Sequence, residues 1–126
     1  MANATTIIPL SGSVQGKPIK IVATSTPGTL VHTTDVNSTN ISRLYLWAVN
    51  TQAAATATTV LTTIEFGDAT APDHNIIVPI PGQAGVVQIT DGFPLTGSGA
   101  ASATVRIFAA TTAVINIVGY VLVVTP

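Results

Sequence analysis

The sequence predicts an all-β fold: an antiparallel β-sandwich of eight or nine strands, with the jelly roll as one form it fits. Three observations carry that expectation. Val, Ile and Thr supply 49 of 126 residues, and β-branched side chains favour strands over helices. Short apolar runs, several of them alternating with polar residues, recur at spacings of roughly ten to fifteen residues between turn formers, the rhythm of an antiparallel sandwich. No long amphipathic helix separates them, as the crossovers of a parallel sheet would require. A chain of this length is expected to be one domain able to bury a core without disulfide or metal staples. Residues 14–126 form the expected sandwich, and residues 1–13 an N-terminal arm or edge strand.

In chain order, Thr5 to Leu10 is a short edge strand or an arm reaching a neighbour, closed by Pro9. Lys17 to Thr24 alternates Ile19, Ile21 and Ala23 against Lys20, Val22 and Thr24, a strand with one wetter face. Pro27-Gly28 marks a turn, and Thr29 to Asp35 follows as a strand with Leu30 and His32 opposite Val31 and Thr33. After a loop of turn formers, Ile41 to Asn50 sets Tyr45, Trp47 and Val49 against Leu44, Leu46 and Ala48. Neither face of that stretch is built for water, so it reads as a central strand.

The Ala-Thr-rich segment Thr51 to Thr56 reads as a loop, with a short helical turn as the alternative. Ala57 to Gly67 is a strand with Val60, Thr62, Ile64 and Phe66 on one side and Leu61, Thr63 and Glu65 on the other. Asn75 to Ile80 carries prolines that cannot donate ladder hydrogen bonds, which favours an edge. Val86 to Asp91 alternates again, Asp91-Gly92-Phe93-Pro94 reads as a turn, and Ser102 to Ala110 sets Val105, Ile107 and Ala109 opposite Thr104, Arg106 and Phe108. The closing stretch, Ala113 to Val124, is apolar on both registers and is expected to be covered on both faces.

Composition narrows the function. Charged residues are 7% of the chain and apolar residues 47%, with a formal net charge of -1. Little electrostatic repulsion keeps copies apart, so self-association is expected. Four scattered basic residues, Lys17, Lys20, Arg43 and Arg106, form no phosphate-binding patch, which argues against nucleic acid as a partner. No run approaches the roughly 20 apolar residues of a spanning helix, so no membrane partner is expected. The N-terminal residues carry no basic segment ahead of an apolar one, so no secretory signal is expected there. The absence of cysteine excludes thiolate chemistry.

One cluster collects ligand-type side chains: Glu65, Asp68, Asp73 and His74. Three carboxylates in one loop are oxygen donors of the kind calcium takes, but the spacing matches no EF-hand, and Asp commonly satisfies turn backbone. No metal and no cofactor are expected. His32 near Asp35 and His74 beside Asp73 supply bases for a hydroxyl nucleophile, yet no Ser stands in a nucleophile-elbow frame. An enzyme is therefore not expected. Lys17 or Lys20, Asn116 and Glu65 follow the loose order in which pilin-like and adhesin sandwiches form an internal Lys–Asn amide, a resemblance of order alone, and an Asn paired with backbone accounts for Asn116 as well. Tyr45 and Trp47 share a strand face, as core packing or as an exposed platform for a sugar ring. Tyr45, Trp47, Arg106 and Phe108 are the expected interface or exposed-face residues.

From Val86 to Val124 the chain carries a D-G-F-P-L turn, a small-residue loop (T-G-S-G-A-A-S-A) and a closing G-Y-V strand. In this half it resembles small virion structural proteins of tailed bacteriophages, of the type that decorates or cements the head shell. It lacks the long N-terminal arm of that pattern. The resemblance implies a trimeric β-sandwich or jelly roll on the capsid surface, made in the host cytoplasm, with copies of itself and the major capsid protein as partners. A glycan- or receptor-binding module of the adhesin or fibre-tip type is the alternative.

Overall fold

Nine strands and one short turn of 3-10 helix make up the chain in the structure, a computed structural model that describes residues 4–126. The strands are β1 (Ala4–Pro9), β2 (Ile19–Ile21), β3 (Thr29–Thr33), β4 (Ile41–Asn50), β5 (Val60–Gly67), β6 (Asn75–Ile80), β7 (Val86–Leu95), β8 (Thr104–Ala109) and β9 (Ile115–Thr125). They form two antiparallel sheets, so the chain is an all-β sandwich as its composition predicts. One sheet runs β1-β9-β4-β7 with β2 also on β9, and the other runs β3-β8-β5-β6. The pairings are nested: β2 with β9, β3 with β8, β4 with β7 and β5 with β6. Of the N-terminal arm, residues 1–3 lie outside the described residues, and β1 lies as an edge strand along the second half of β9.

The alternation read from the sequence decides which side chains meet between the sheets. Leu44, Leu46, Ile115, Ile117 and Val121 from one sheet and Val31, Ile64, Val105 and Ile107 from the other are fully buried. Burying an aliphatic side chain of this size contributes roughly 1.5–3 kcal/mol, so this layer is the main source of stability. At Gly119 the backbones of β9 and β4 approach so closely that a Cβ would collide with the Tyr45 carbonyl oxygen, which explains a glycine inside the most β-branched strand of the chain.

Three elements differ from their sequence-based expectation. Asp91 to Pro94 is no turn: β7 continues to Leu95, and Gly92, at φ 72°, takes up the extra residue where the β4–β7 register shifts. A second shift beside Leu46 leaves the ladder short, and the buried Thr90 hydroxyl repairs it by accepting from Leu46 N (3.0 Å) and donating to Leu44 O (2.9 Å). In β3 a bulge between Leu30 and His32 turns both Val31 and His32 inward. The segment Thr51 to Thr56 ends in a 3-10 turn, Ala54–Thr56.

Leu10 to Gly12 carries the chain over to the β3 edge of the four-stranded sheet before it returns to β2 in the five-stranded one. Leu10 is buried in the core. Gly12 N donates to Val31 O (2.9 Å), Thr33 N donates to Ser11 Oγ (2.7 Å), and Ser11 N donates to His32 Nδ1 (3.1 Å). The His32 ring proton therefore sits on Nε2.

Candidate functional site

The outer face of the five-stranded sheet carries a continuous field of exposed and half-buried apolar side chains; Leu61 and Ile77 are exposed on the outer face of the other sheet. Antiparallel pairing of β4 with β9 sets Ile41 opposite Val124, Arg43 opposite Leu122, Tyr45 opposite Tyr120, Trp47 opposite Val118 and Val49 opposite Asn116. Because side chains alternate along a strand, all ten point to one side, away from Leu44, Leu46 and Ile117 in the core. β1 adds Ile7 beside Leu122, and β7 adds Val86, Gln88 and Asp91 opposite Val49, Trp47 and Tyr45. Ile7 is 69% exposed and Val86 62%. The expectation that β9 is covered on both faces holds only for its inner face, since none of the described strands packs over the outer one.

Three rings form the centre of this face. Tyr45 and Tyr120 stack with centroids 5.0 Å apart and planes 17° from parallel, and Trp47 lies 6.0 Å from Tyr120 at 30°. Tyr45 owes its position to the Gly92 bulge: a Cβ there would stand 2.8 Å from the Tyr45 hydroxyl. Among the described residues charge on this face lies at the rim, with Arg43, Asp91 and Lys20, the last opposite Asn116. Tyr120 is the one member of this centre that sequence reasoning left out. Its place beside Val118 and Leu122 is legible from alternation, but its stacking on Tyr45 depends on a register between strands some 70 residues apart.

The four expected interface residues divide between two opposite faces. Tyr45 and Trp47 lie on the face just described, whereas Arg106 and Phe108 lie on the outer face of the four-stranded sheet, opposite Glu65 and Thr63. There the Thr26–Gly28 segment folds over the sheet. Thr26 Oγ1 donates to Glu65 Oε2 (2.5 Å), Gly28 N donates to Glu65 Oε1 (2.6 Å), and Arg106 Nη1 donates to Gly28 O (3.0 Å). Glu65 is thereby buried, 1% exposed, although it sits on an outward-facing position.

The acidic loop does not converge. Glu65 is engaged as above, and Asp73 is exposed. Asp68 Oδ1 meets His74 Nδ1 at 2.6 Å, at the surface. That hydrogen bond, with help from Thr70, lowers the Asp68 carboxyl to about 2, and the same bond and the charge of Asp68 raise His74. Beside the pair opens a cleft of about 470 Å³ lined by Gly67, Asp68, Thr96, Gly97, Ser98 and Ala101 to Ala103. Among the described residues no three His, Cys, Asp or Glu side chains come together. The Lys–Asn crosslink lacks its geometry too: Lys20 is opposite Asn116, but Glu65 is held on the other sheet. Comparison with protein-family models, with curated proteins and with solved structures finds no match to this chain.

Proposed function

We propose that the protein is a homo-oligomeric structural subunit of a virion, a decoration or cement protein that stabilises a phage head by bridging neighbouring shell subunits, and that the outer face of its five-stranded sheet is the contact surface. The observation that carries this reading is the Tyr45–Trp47–Tyr120 centre, set in an aliphatic field with charges at its rim. Aromatic residues at the middle of a patch, with charges pushed to its edge, are the composition of a protein interface.

The size fits as well. Strands about 4.8 Å apart, with β1 6 residues long, β4 and β7 10 and β9 11, give roughly 600 Å² in projection at about 3.3 Å per residue. Side-chain relief raises the accessible area toward the roughly 800 Å² per partner that a stable complex buries. A net charge of -1 leaves little repulsion between copies.

The nested pairing of β2 with β9 through β5 with β6 supports reading the sandwich as a jelly roll with β1 as an added strand, an architecture of viral capsid domains and of lectins. The virion itself, its surface location and contact with a major capsid protein rest on the resemblance of residues 86–124. The lectin reading is the alternative, favoured by the polar Asn116, Gln88 and Asp91 beside the rings, where they could bond sugar hydroxyls.

Trp47 is the only tryptophan, so its fluorescence reads the face directly. In the assembled protein Trp47 is expected to resist acrylamide quenching, and Tyr120→Lys abolishes that protection. Virions lacking the protein are expected to lose heat resistance and regain it when the wild-type chain, but not Tyr120→Lys, is added back. Saturable binding of a glycan that is lost in Trp47→Ala, with Trp47 freely quenched in the absence of sugar, would replace this reading with the lectin one.

A further inference from the structure

Five of the described strands stand at sheet edges, and four of them are blocked against pairing with another chain. β7 carries the Gly92 bulge, a second register shift and Pro94. β6 carries Pro79 within it. β3 is bulged and covered by the bonds from Ser11 and Gly12. β2 is three residues long, with Pro18 before it and the exposed Lys20 at its centre. Bulges, prolines, charge and short length are the means by which natural sheets prevent edge-to-edge association.

β1 has none of these over Ala4 to Ile8. Its register on β9 runs unbroken from Ala4 opposite Thr125 to Pro9 opposite Tyr120. The run holds no charge and no glycine, its proline comes last, and Ala4 to Ile7 are exposed. An edge strand in an antiparallel ladder leaves every second residue's N–H and C=O without a partner in its own sheet.

We infer that β1 pairs antiparallel with β1 of a second copy across a two-fold axis, joining two five-stranded sheets into one continuous sheet. A second copy is the fitting occupant because the run is uncharged and self-complementary, so no like charges meet. Pro9 cannot donate to a ladder, so among the described residues the pairing run is Ala4 to Ile8, and we place the two-fold axis at its centre, Thr6. Centred there, Thr6 faces the partner's Thr6 and Thr5 faces the partner's Ile7. The parity is the one that keeps the two outer faces on the same side, since Thr5 and Ile7 both point outward. The contact does not use Tyr45, Trp47 or Tyr120, so it stands independently of the face proposed above.

The test uses the full chain in the Tyr120→Lys background, where the face contact is removed. Thr6 is exposed and points to the side away from Tyr120, so substitutions there leave the face untouched. A dimer is expected in that background, with all amides of Thr5 to Ile8 protected from hydrogen exchange. Adding Thr6→Lys is expected to give a monomer in which alternate β1 amides exchange at least about tenfold faster while β4 and β9 amides stay protected. Thr6→Cys, in a chain with no other cysteine, is expected to oxidise to a covalent dimer, because facing Cα atoms in a ladder lie within disulfide reach. A monomer in the Tyr120→Lys background whose alternate β1 amides already exchange fast, or a Thr6→Cys variant that stays unlinked, would overturn the inference and leave the face proposal standing.

Discussion

At the scale of single residues, the two histidines are set in opposite directions by their surroundings. Burial lowers the pKa of His32 from the usual 6.5, because a charged imidazole loses its hydration in the core. Its Nδ1 accepts from Ser11 N, and a protonated ring would have no lone pair there. The stability contributed by neutral His32 is present above pH 6.5 and is lost as pH falls through its lowered value. His74 behaves in reverse. Asp68 raises it, so its contribution is complete below pH 6.5 and is lost as pH rises through the raised value, while the Asp68 contribution fades as pH falls toward about 2. The Asp68–His74 pair is exposed and contributes little to stability. A titration of the imidazole resonances is expected to separate the two rings, His32 below 6.5 and His74 above it. Acidification is expected to loosen the Leu10–Gly12 crossing first. Coincident midpoints would contradict this assignment.

At the scale of elements, the Thr26–Gly28 segment is tied to its sheet through one carboxylate. Glu65→Ala removes the acceptor for Thr26 Oγ1 and Gly28 N together. A loss of about 2 kcal/mol in urea denaturation is expected, in line with one or two charge-assisted bonds at a site water can re-enter. The Gly28 amide is expected to become unprotected while Ile64 stays protected, and a Gly28 amide that remains slow would contradict the account. Nothing local in the sequence marks this contact, because Glu65 occupies an outward register position and its partners lie about 40 residues away. The inward faces of β4, β5, β8 and β9 are different: strict alternation names Leu44, Leu46, Ile64 and Ile107 without any knowledge of their partners. Asp91-Gly92-Phe93-Pro94 was legible as a site needing positive φ and lacking a donor, but those needs are met equally by a turn and by a bulge. The pairing with β4 decides between them. The same dependence on pairing hides the Tyr45–Tyr120 stack, and so the centre of the candidate site, from any reading of one strand at a time.

At the scale of the whole molecule, a low charge content and a two-sided apolar strand have one consequence. Two sheets of a sandwich offer each other one face apiece, so β4 and β9, apolar on both sides, bury Leu46 and Ile117 within the chain and leave Trp47 and Tyr120 for something outside it. Ordinary domains clothe the outer face with Lys and Glu; here, among the described residues, the charges near it are Arg43, Asp91 and Lys20 at the margins. On the reading proposed above, association with its own copies removes this face from water, at about 25 cal/mol for each Å² of apolar area covered. Sedimentation equilibrium of the purified wild-type chain at tens of micromolar tests that claim most directly. The account predicts a mass that is a multiple of 12.8 kDa, and a single well-behaved species of 12.8 kDa across that range would contradict it.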